Sequence, residues 1–252
     1  MEINEIARAA LLMAAQGDPK KAAEMEAYLA ADPQQQCPAG GVIMDAGQAK
    51  IDASKLRGTV LNQVAPDGIY LVFESGEFDL YKPGQVTEAQ KQNCIGVAVK
   101  LGGKSICVSL FDMASGEGIT LTAGEDTTGW DGYKDNSLDA DADWDGKGNT
   151  EHLKAVGLNP RITPLVGQFI PSMAQWRFIC LFRKELNQAL AELGGDKLVG
   201  WYWTSTEYNA AYAWYISLST GFMNLITKAC GSGKVRAVSA FFGTIFDKKS
   251  EK

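Results

Sequence analysis

The residues best equipped for chemistry lie between Asp139 and Arg236. Four aspartates alternate at Asp139, Asp141, Asp143 and Asp145, just ahead of Gly146. Alternate side-chain oxygens of this kind open a calcium loop, where they converge on one hard cation. A loop of EF-hand type starting at Asp141 needs a carboxylate at residue 152. His152 stands there and Glu151 falls one place early, so that match fails. A looser calcium site of carboxylates and backbone carbonyls is the one cofactor reading left open. His152 is the only histidine, and no Ser-His-Asp set or zinc cluster assembles around it from the sequence. Cys230 sits in a Gly/Ser/Ala loop between Lys228 and Lys234. A reactive thiol needs a base or a positive field beside it, and an unreactive loop cysteine is the simpler reading. Glu207 and Arg236 are expected to form a buried ion pair that ties two late strands together; breaking such a pair costs roughly 3–5 kcal/mol.

These residues must be held by a mixed set of elements. Residues 3–16 read as a helix that Gly17 stops, and Asp18-Pro19 opens a second one that Asp32-Pro33 ends. Together they predict an N-terminal helical hairpin over 1–36, an attachment or oligomerisation element. A linker with a short β segment spans 37–64, and a domain follows over 65–247. Strands are expected at 68–73, 95–99 and 105–110, the last two forming a hairpin across Gly102-Gly103. Residues 122–150 read as an acidic loop. A short helix starting at Asn149 or Thr150 ends at Gly157. A longer helix opens with a capping box of Ser172 and Gln175, carries an apolar stripe from Met173 to Leu193, and closes at Gly194-Gly195. Strands at 201–205, 212–218, 222–226 and 234–240 complete an α+β class, with strands at both ends of the domain and helices between.

Bulk composition narrows the partners. A chain of 252 residues holds one large domain or two small ones. A charged fraction of 21% and an apolar fraction of 46% suit a globular protein. A net charge of −6 with no basic stripe argues against nucleic acid, whose phosphates need clustered Lys and Arg. No apolar run approaches the roughly 20 residues that cross a bilayer, so no membrane insertion is expected. The opening residues are acidic where a secretory signal carries positive charge. Five scattered cysteines without a CxxC pair predict free thiols.

Residues 201–241 overlay two kinds of sequence. One is specific: Trp201, Trp203, Glu207, Trp214, Gly221, Lys228 and the run from Lys234 to Val238. Its three tryptophans are read as core, since large aromatic rings dominate packing. The other kind has no chemical theme: positions 209–212, 215, 217, 219, 220, 222, 224–227 and 229–233. Every residue of this second kind is reachable from an asparagine codon whose two adenines are replaced by any base. Lys, Met, Trp, Gln and Glu are not reachable that way, and within the window they stand only at other positions. A fixed frame carrying arbitrary side chains predicts a rigid scaffold with an exchangeable binding surface.

The succession Ile170-Pro171-Ser172, long helix, Gly194-Gly195, Tyr202-Trp203-Thr204-Ser205-Thr206-Glu207, Ala213-Trp214, Gly221 and Val235-Arg236-Ala237-Val238 resembles the end of bacterial and phage C-type-lectin-like domains. Within that group it is most similar to the variable proteins of diversity-generating retroelements. The resemblance is clearest over 168–241, weaker over Asp145–Thr150, and says little about 1–64. It implies a C-type-lectin-like fold preceded by the small helical segment, with residues 69–73 lying near 235–240 and a variable region at about 203–236. It implies a ligand-binding face made of Asn209, Tyr212, Tyr215, Ser217, Ser219, Phe222, Asn224, Leu225, Ile226, Thr227, Ala229 and Cys230. Strand alternation adds that Trp214, Ile216 and Leu218 point inward while Tyr215, Ser217 and Ser219 point out. The EPN and QPD tripeptides of calcium-dependent sugar-binding lectins are absent. The expected function is recognition, without catalysis, of a protein or glycan ligand on a cell surface, in a virion (as a phage tail component) or in the cytoplasm. Copies joined through the N-terminal helices would add avidity. Two rivals remain: a structural module of a phage or surface appendage, and an enzyme of the formylglycine-generating type, whose paired cysteines have no counterpart beside Cys230.

Overall fold

A computed structural model describes residues 65–241. The helical hairpin expected over 1–36, the segment 37–64 and residues 242–247 of the expected domain lie outside the described residues.

The described residues form a mixed α+β structure with two antiparallel sheets. Chain order is β1 (Gly68–Phe73), β2 (Phe78–Leu80), α1 (Glu88–Asn93), β3 (Cys94–Leu101), β4 (Lys104–Ser109), α2 (Ser137–Ala142), α3 (Gly146–Val156), β5 (Gln168–Phe169), α4 (Met173–Leu181), α5 (Arg183–Glu192), β6 (Trp201–Glu207), β7 (Tyr212–Ser217), β8 (Met223–Thr227) and β9 (Val238–Ala240). The larger sheet runs β2-β1-β3-β4-β9-β5 and the smaller β6-β7-β8.

The hairpin forms at the expected Gly-Gly turn. Val97 pairs with Val108 and Leu101 with Lys104. Gly102 takes φ +56, which a side chain at that point of the tight turn would disfavour. This hairpin also corrects one expectation. Residues 69–73 do not lie beside 235–240: Ile69 pairs with Val99, and β9 pairs with β4 through Val108–Val238, so β3 and β4 stand between them. Of the predicted strand over 234–240 only Val238–Ala240 is strand.

Alternation in β1, β3 and β4 turns Ile69, Leu71, Val97, Val99, Ile106 and Val108 onto one core, where α4 and α5 bring Trp176, Ile179, Leu186 and Leu190. Burying such side chains supplies about 25 cal/mol per Å² of apolar surface. The predicted long helix is two helices. Phe182 leaves helical geometry at φ −112, ψ 15, and the chain restarts at Arg183. The capping box holds, with Gln175 Oε1 accepting from the Ser172 N–H at 2.9 Å. α3 begins at Gly146, three residues before the earliest expected start, because Asp145 Oδ1 caps the Gly148 N–H at 2.8 Å. It ends at Gly157 as predicted. The acidic stretch expected to be all loop contains α2, capped by Asn136 and seated through buried Ala140. None of the described helices is long and apolar enough to cross a membrane.

Candidate recognition site

β6, β7 and β8 put the 201–230 window on one small sheet. Trp203 faces Tyr215 and Tyr215 faces Asn224 in one cross-strand row, while Trp214 faces Leu225 in the next. Residues opposite one another share a face, so both faces can be traced. Tyr202, Trp214 and Ile216 bury into the main core, with Met223 and Leu225 half-buried against it. Trp203 and Ala213 bury into a second cluster with Ile119, Leu121, Leu153 and Val235, against which Tyr215 and Ile226 pack. The inward set is as expected for Trp214, Ile216 and Leu218.

The outward set needs correction at Ser217, which is only 5% exposed. It lies opposite Trp201 and carries the next turn on its backbone, donating to the Phe222 carbonyl at 2.8 Å and accepting from the Gly221 N–H at 2.7 Å. Alternation assumes one open face, and here both faces are covered. Tyr212 and Phe222 are exposed at 40% and 61%, and Ser219, Asn224, Thr227 and Ala229 are exposed as well. Tyr215, Leu225, Ile226, Cys230 and Asn209 are half-buried. Asn209 also builds structure: its Oδ1 accepts from the N–H groups of Ala211 and Tyr212 at 2.9 and 2.8 Å, closing the turn between β6 and β7. Gly233, one of the themeless positions, has no room for change. A Cβ there would come within 2.6 Å of Trp203 Nε1.

Trp201 is not core. It is half-buried, stacks on Tyr215 with ring centroids 4.3 Å apart, and meets Phe222 edge-on at 6.2 Å. The sequence held no signal for this, because residues two apart on a strand share a face and Trp201 and Trp203 therefore read alike. Together these three rings make a partly exposed aromatic cluster at the start of β6 and the turn between β7 and β8.

Scaffold arginines grip that turn by its backbone. Arg177 of α4 donates to the Gly221 carbonyl and Arg183 of α5 to the Leu218 carbonyl. Gly221 itself takes φ +77, a glycine conformation. Such contacts act on the backbone and place no demand on the side chain at Phe222, whereas the Ser219 and Thr220 hydroxyls accept from the Gly200 and Phe222 N–H groups, each at 3.2 Å.

The buried charges are paired otherwise than expected. Glu207 does not meet Arg236. Lys228 Nζ donates to Glu207 Oε1, with both side chains at 1% exposure or less. Arg236 Nε donates to Asp112 Oδ1 at 2.6 Å, and Tyr202 donates to both Asp112 oxygens at 3.0 Å. Glu207 Oε2 lies 3.4 Å from His152 Nε2, which also meets Asp126 Oδ2 at 2.9 Å. Trp130 stacks on the His152 ring at 3.9 Å, and Tyr133 donates to Asp126 Oδ2 at 2.5 Å. Burial pushes the Glu207 carboxyl up from its ordinary value, and the Lys228 ammonium offsets part of that. Burial also acts against the Asp126 carboxylate, but hydrogen bonds from Tyr133, Thr128 and His152 outweigh it and hold that group well below the usual range. The loop 122–135 is thereby fastened to the strand ends, with Asp126 N–H donating to the Ala210 carbonyl and Lys134 N–H to that of Glu207.

The aspartates read as a calcium loop are each engaged by protein. Asp141 pairs with Arg177, Asp145 caps α3, and Asp143 Oδ2 accepts from Asn149 Nδ2 at 2.7 Å and Thr206 Oγ1 at 2.6 Å. Asp139 accepts from Asn136 Nδ2. Among the described residues no three ligating side chains converge. Cys94, Cys107, Cys180 and Cys230 are free thiols, and burial pushes Cys107 up to about 12. Cys230 Sγ meets the Ser232 hydroxyl at 3.4 Å.

No protein-family model matches this chain, and no curated protein matches it.

Proposed function

We propose that this chain is a ligand-binding protein in which a C-type-lectin-like scaffold displays an exchangeable surface, as in variable proteins of diversity-generating retroelements. One observation carries the reading. Within 209–230, exposed Tyr212, Ser219, Phe222, Asn224, Thr227 and Ala229 alternate with buried Ala213, Trp214, Ile216, Leu218 and Lys228, and the turn between them is held by backbone carbonyls. Large aromatic side chains left in water at such a place supply stiff contact area at small entropic cost. The binding set is Tyr212, Ser219, Phe222, Asn224, Thr227 and Ala229, with Trp201, Tyr215, Leu225, Ile226 and Cys230 at its half-buried margin; Asn209 shapes the adjoining turn. The ligand is a protein or glycan on a cell surface, met by a phage-tail component or a cytoplasmic protein. Copies joined through residues 1–36 would turn weak single contacts into stable attachment.

Fluorescently labelled protein applied to a panel of intact bacterial cells tests this. Saturable binding to some strains, lost in a Tyr212→Ala/Phe222→Ala double variant of unchanged melting temperature, is the expected result. Binding that survives the double variant, or no binding to any strain, contradicts it. DNA near the coding segment for 203–236 should also hold a near-copy differing at adenines, beside a reverse transcriptase.

A further inference from the structure

β8 is the outer strand of the small sheet, and its free edge is a row of backbone groups. The register with β7 fixes which way each group points. The Ser217 N–H donates to the Phe222 carbonyl and the Lys228 N–H to that of Ala211, so Phe222, Asn224, Ile226 and Lys228 bond inward to β7. Met223, Leu225 and Thr227 therefore aim their N–H and C=O groups away from the sheet. Two of these groups are taken: the Leu225 N–H donates to Asn224 Oδ1 at 2.8 Å, and the Thr227 carbonyl accepts from the Cys230 N–H at 2.9 Å. The Met223 N–H and carbonyl, the Leu225 carbonyl and the Thr227 N–H have no hydrogen-bond partner among the described residues.

Exposed edges of natural sheets are kept short, charged, bulged or broken by proline. The other edges here are guarded. β2 has three residues and carries Asp79, and β5 has two. β6 is closed in part by Lys234, whose N–H donates to the Trp201 carbonyl and whose carbonyl accepts from the Trp203 N–H, each at 2.9 Å. β8 has five residues, Met223–Thr227, with no charge, no proline and no register shift against β7.

We propose that β8 receives an extended segment of a partner protein as an added strand; this rests on the ligand-binding function above and narrows its ligand to a polypeptide. The outward groups recur every second residue, about 7 Å along the strand, which is the repeat of another extended backbone. Backbone groups at 223, 225 and 227 persist when side chains are exchanged, unless proline enters. Main-chain pairing thus supplies affinity that survives exchange, while exposed side chains such as Asn224 and Thr227 meet those of the incoming strand and set specificity.

Panning a phage-displayed random-peptide library on the immobilised full-length protein tests this, with enriched peptides then synthesised and their binding measured by calorimetry. N-methylation along a bound peptide should weaken binding at every second residue only, because alternate N–H groups of an added strand face β8. That scan needs no protein variant. Thr227→Pro should bind the peptides at least about tenfold more weakly with an unchanged melting temperature. It removes an outward donor and sets a ring in the path of the strand, while sparing every bond to β7. Thr227→Ser should stay within about twofold of the wild type. No enriched peptide, an N-methyl profile without a period of two, or wild-type affinity in Thr227→Pro overturns the assignment. So does a concentration-dependent dimer that Thr227→Pro abolishes, which gives the edge to a second copy. The bacterial-cell panel separates the two proposals: binding lost in Tyr212→Ala/Phe222→Ala but kept in Thr227→Pro leaves the recognition surface standing and removes the strand site.

Discussion

Arg236 Nε and Asp112 Oδ1 lie 2.6 Å apart with both side chains at 1% exposure or less. The pair joins the segment before β9 to the segment after β4. Arg236 extends the grip by donating to the carbonyls of Ser109, Leu110 and Asp196. Lys234 reaches the same carboxylate at 3.4 Å. The frame beneath β6, β7 and β8 therefore rests on polar groups that are satisfied only together. Asp112→Ala should destabilise the fold by roughly 3–5 kcal/mol, since it leaves the guanidinium buried and unmatched. Urea unfolding checks this; a loss under about 1 kcal/mol would show that the pair is not a fastening.

Gly233 tests how far the proposed exchangeable positions extend. A methyl group there would meet the rigid Trp203 indole at 2.6–2.9 Å. Gly233→Ala should cost about 1–3 kcal/mol through overpacking, although Ala is a residue the codon pattern permits. Thermal or chemical denaturation gives the answer, and a neutral outcome would mean the loop carrying Gly233 shifts freely.

The exposed and half-buried members of the proposed recognition surface should separate by stability. Tyr212→Ala and Phe222→Ala should each change stability by no more than about 0.5 kcal/mol. Tyr215→Ala removes the stack on Trp201, worth about 0.5–1.5 kcal/mol beyond burial. Leu225→Ala uncovers a side chain packed on the main core. A triple exchange of Tyr215, Phe222 and Leu225 is therefore expected to lower the melting temperature clearly, unlike a purely external patch. Equal melting of all these variants would refute the distinction.

Asp126 should give the fold an acid-sensitive component. Its folded value lies below its ordinary 3.8, so its stabilisation is present above that value and is lost as pH falls through the range beneath it. Tyr133, Thr128 and His152 donate to it, with Glu207 and Lys228 just behind. Glu207 has the opposite sign: its raised value means that its charge costs stability as pH climbs past about the ordinary 4.5. In Asp126→Asn the fall in melting temperature from about pH 4 to pH 2 should be shallower than in the wild type. Parallel curves for the two proteins would contradict this.

Local features were legible wherever the physics was local. The Gly102-Gly103 hairpin, the Ser172–Gln175 capping box and the stop at Gly157 follow from conformational preferences of a few adjacent residues. The Thr87–Gln90 capping box that opens α1 carries the same kind of local signal. Helix α2 is a hexamer of mixed propensity, two Ala and a Leu against two Asp and a Ser, and its Asn136 cap together with the seat for Ala140 selects it. The break at Phe182 is hidden because an uninterrupted apolar stripe describes one helix as well as two.

The sequence by itself determined which strand positions of 201–230 turn into the main core, because a period of two places Trp214, Ile216 and Leu218 together whatever surrounds them. It also determined that Glu207 and Arg236 would be costly to leave unpaired. Tertiary structure alone decided their partners, Lys228 and Asp112, since those choices depend on which distant segments meet. It likewise decided that Ser217 is covered while Trp201 reaches the surface. Alternation assigns a side chain to a face, but the packing of neighbouring segments decides whether that face meets water.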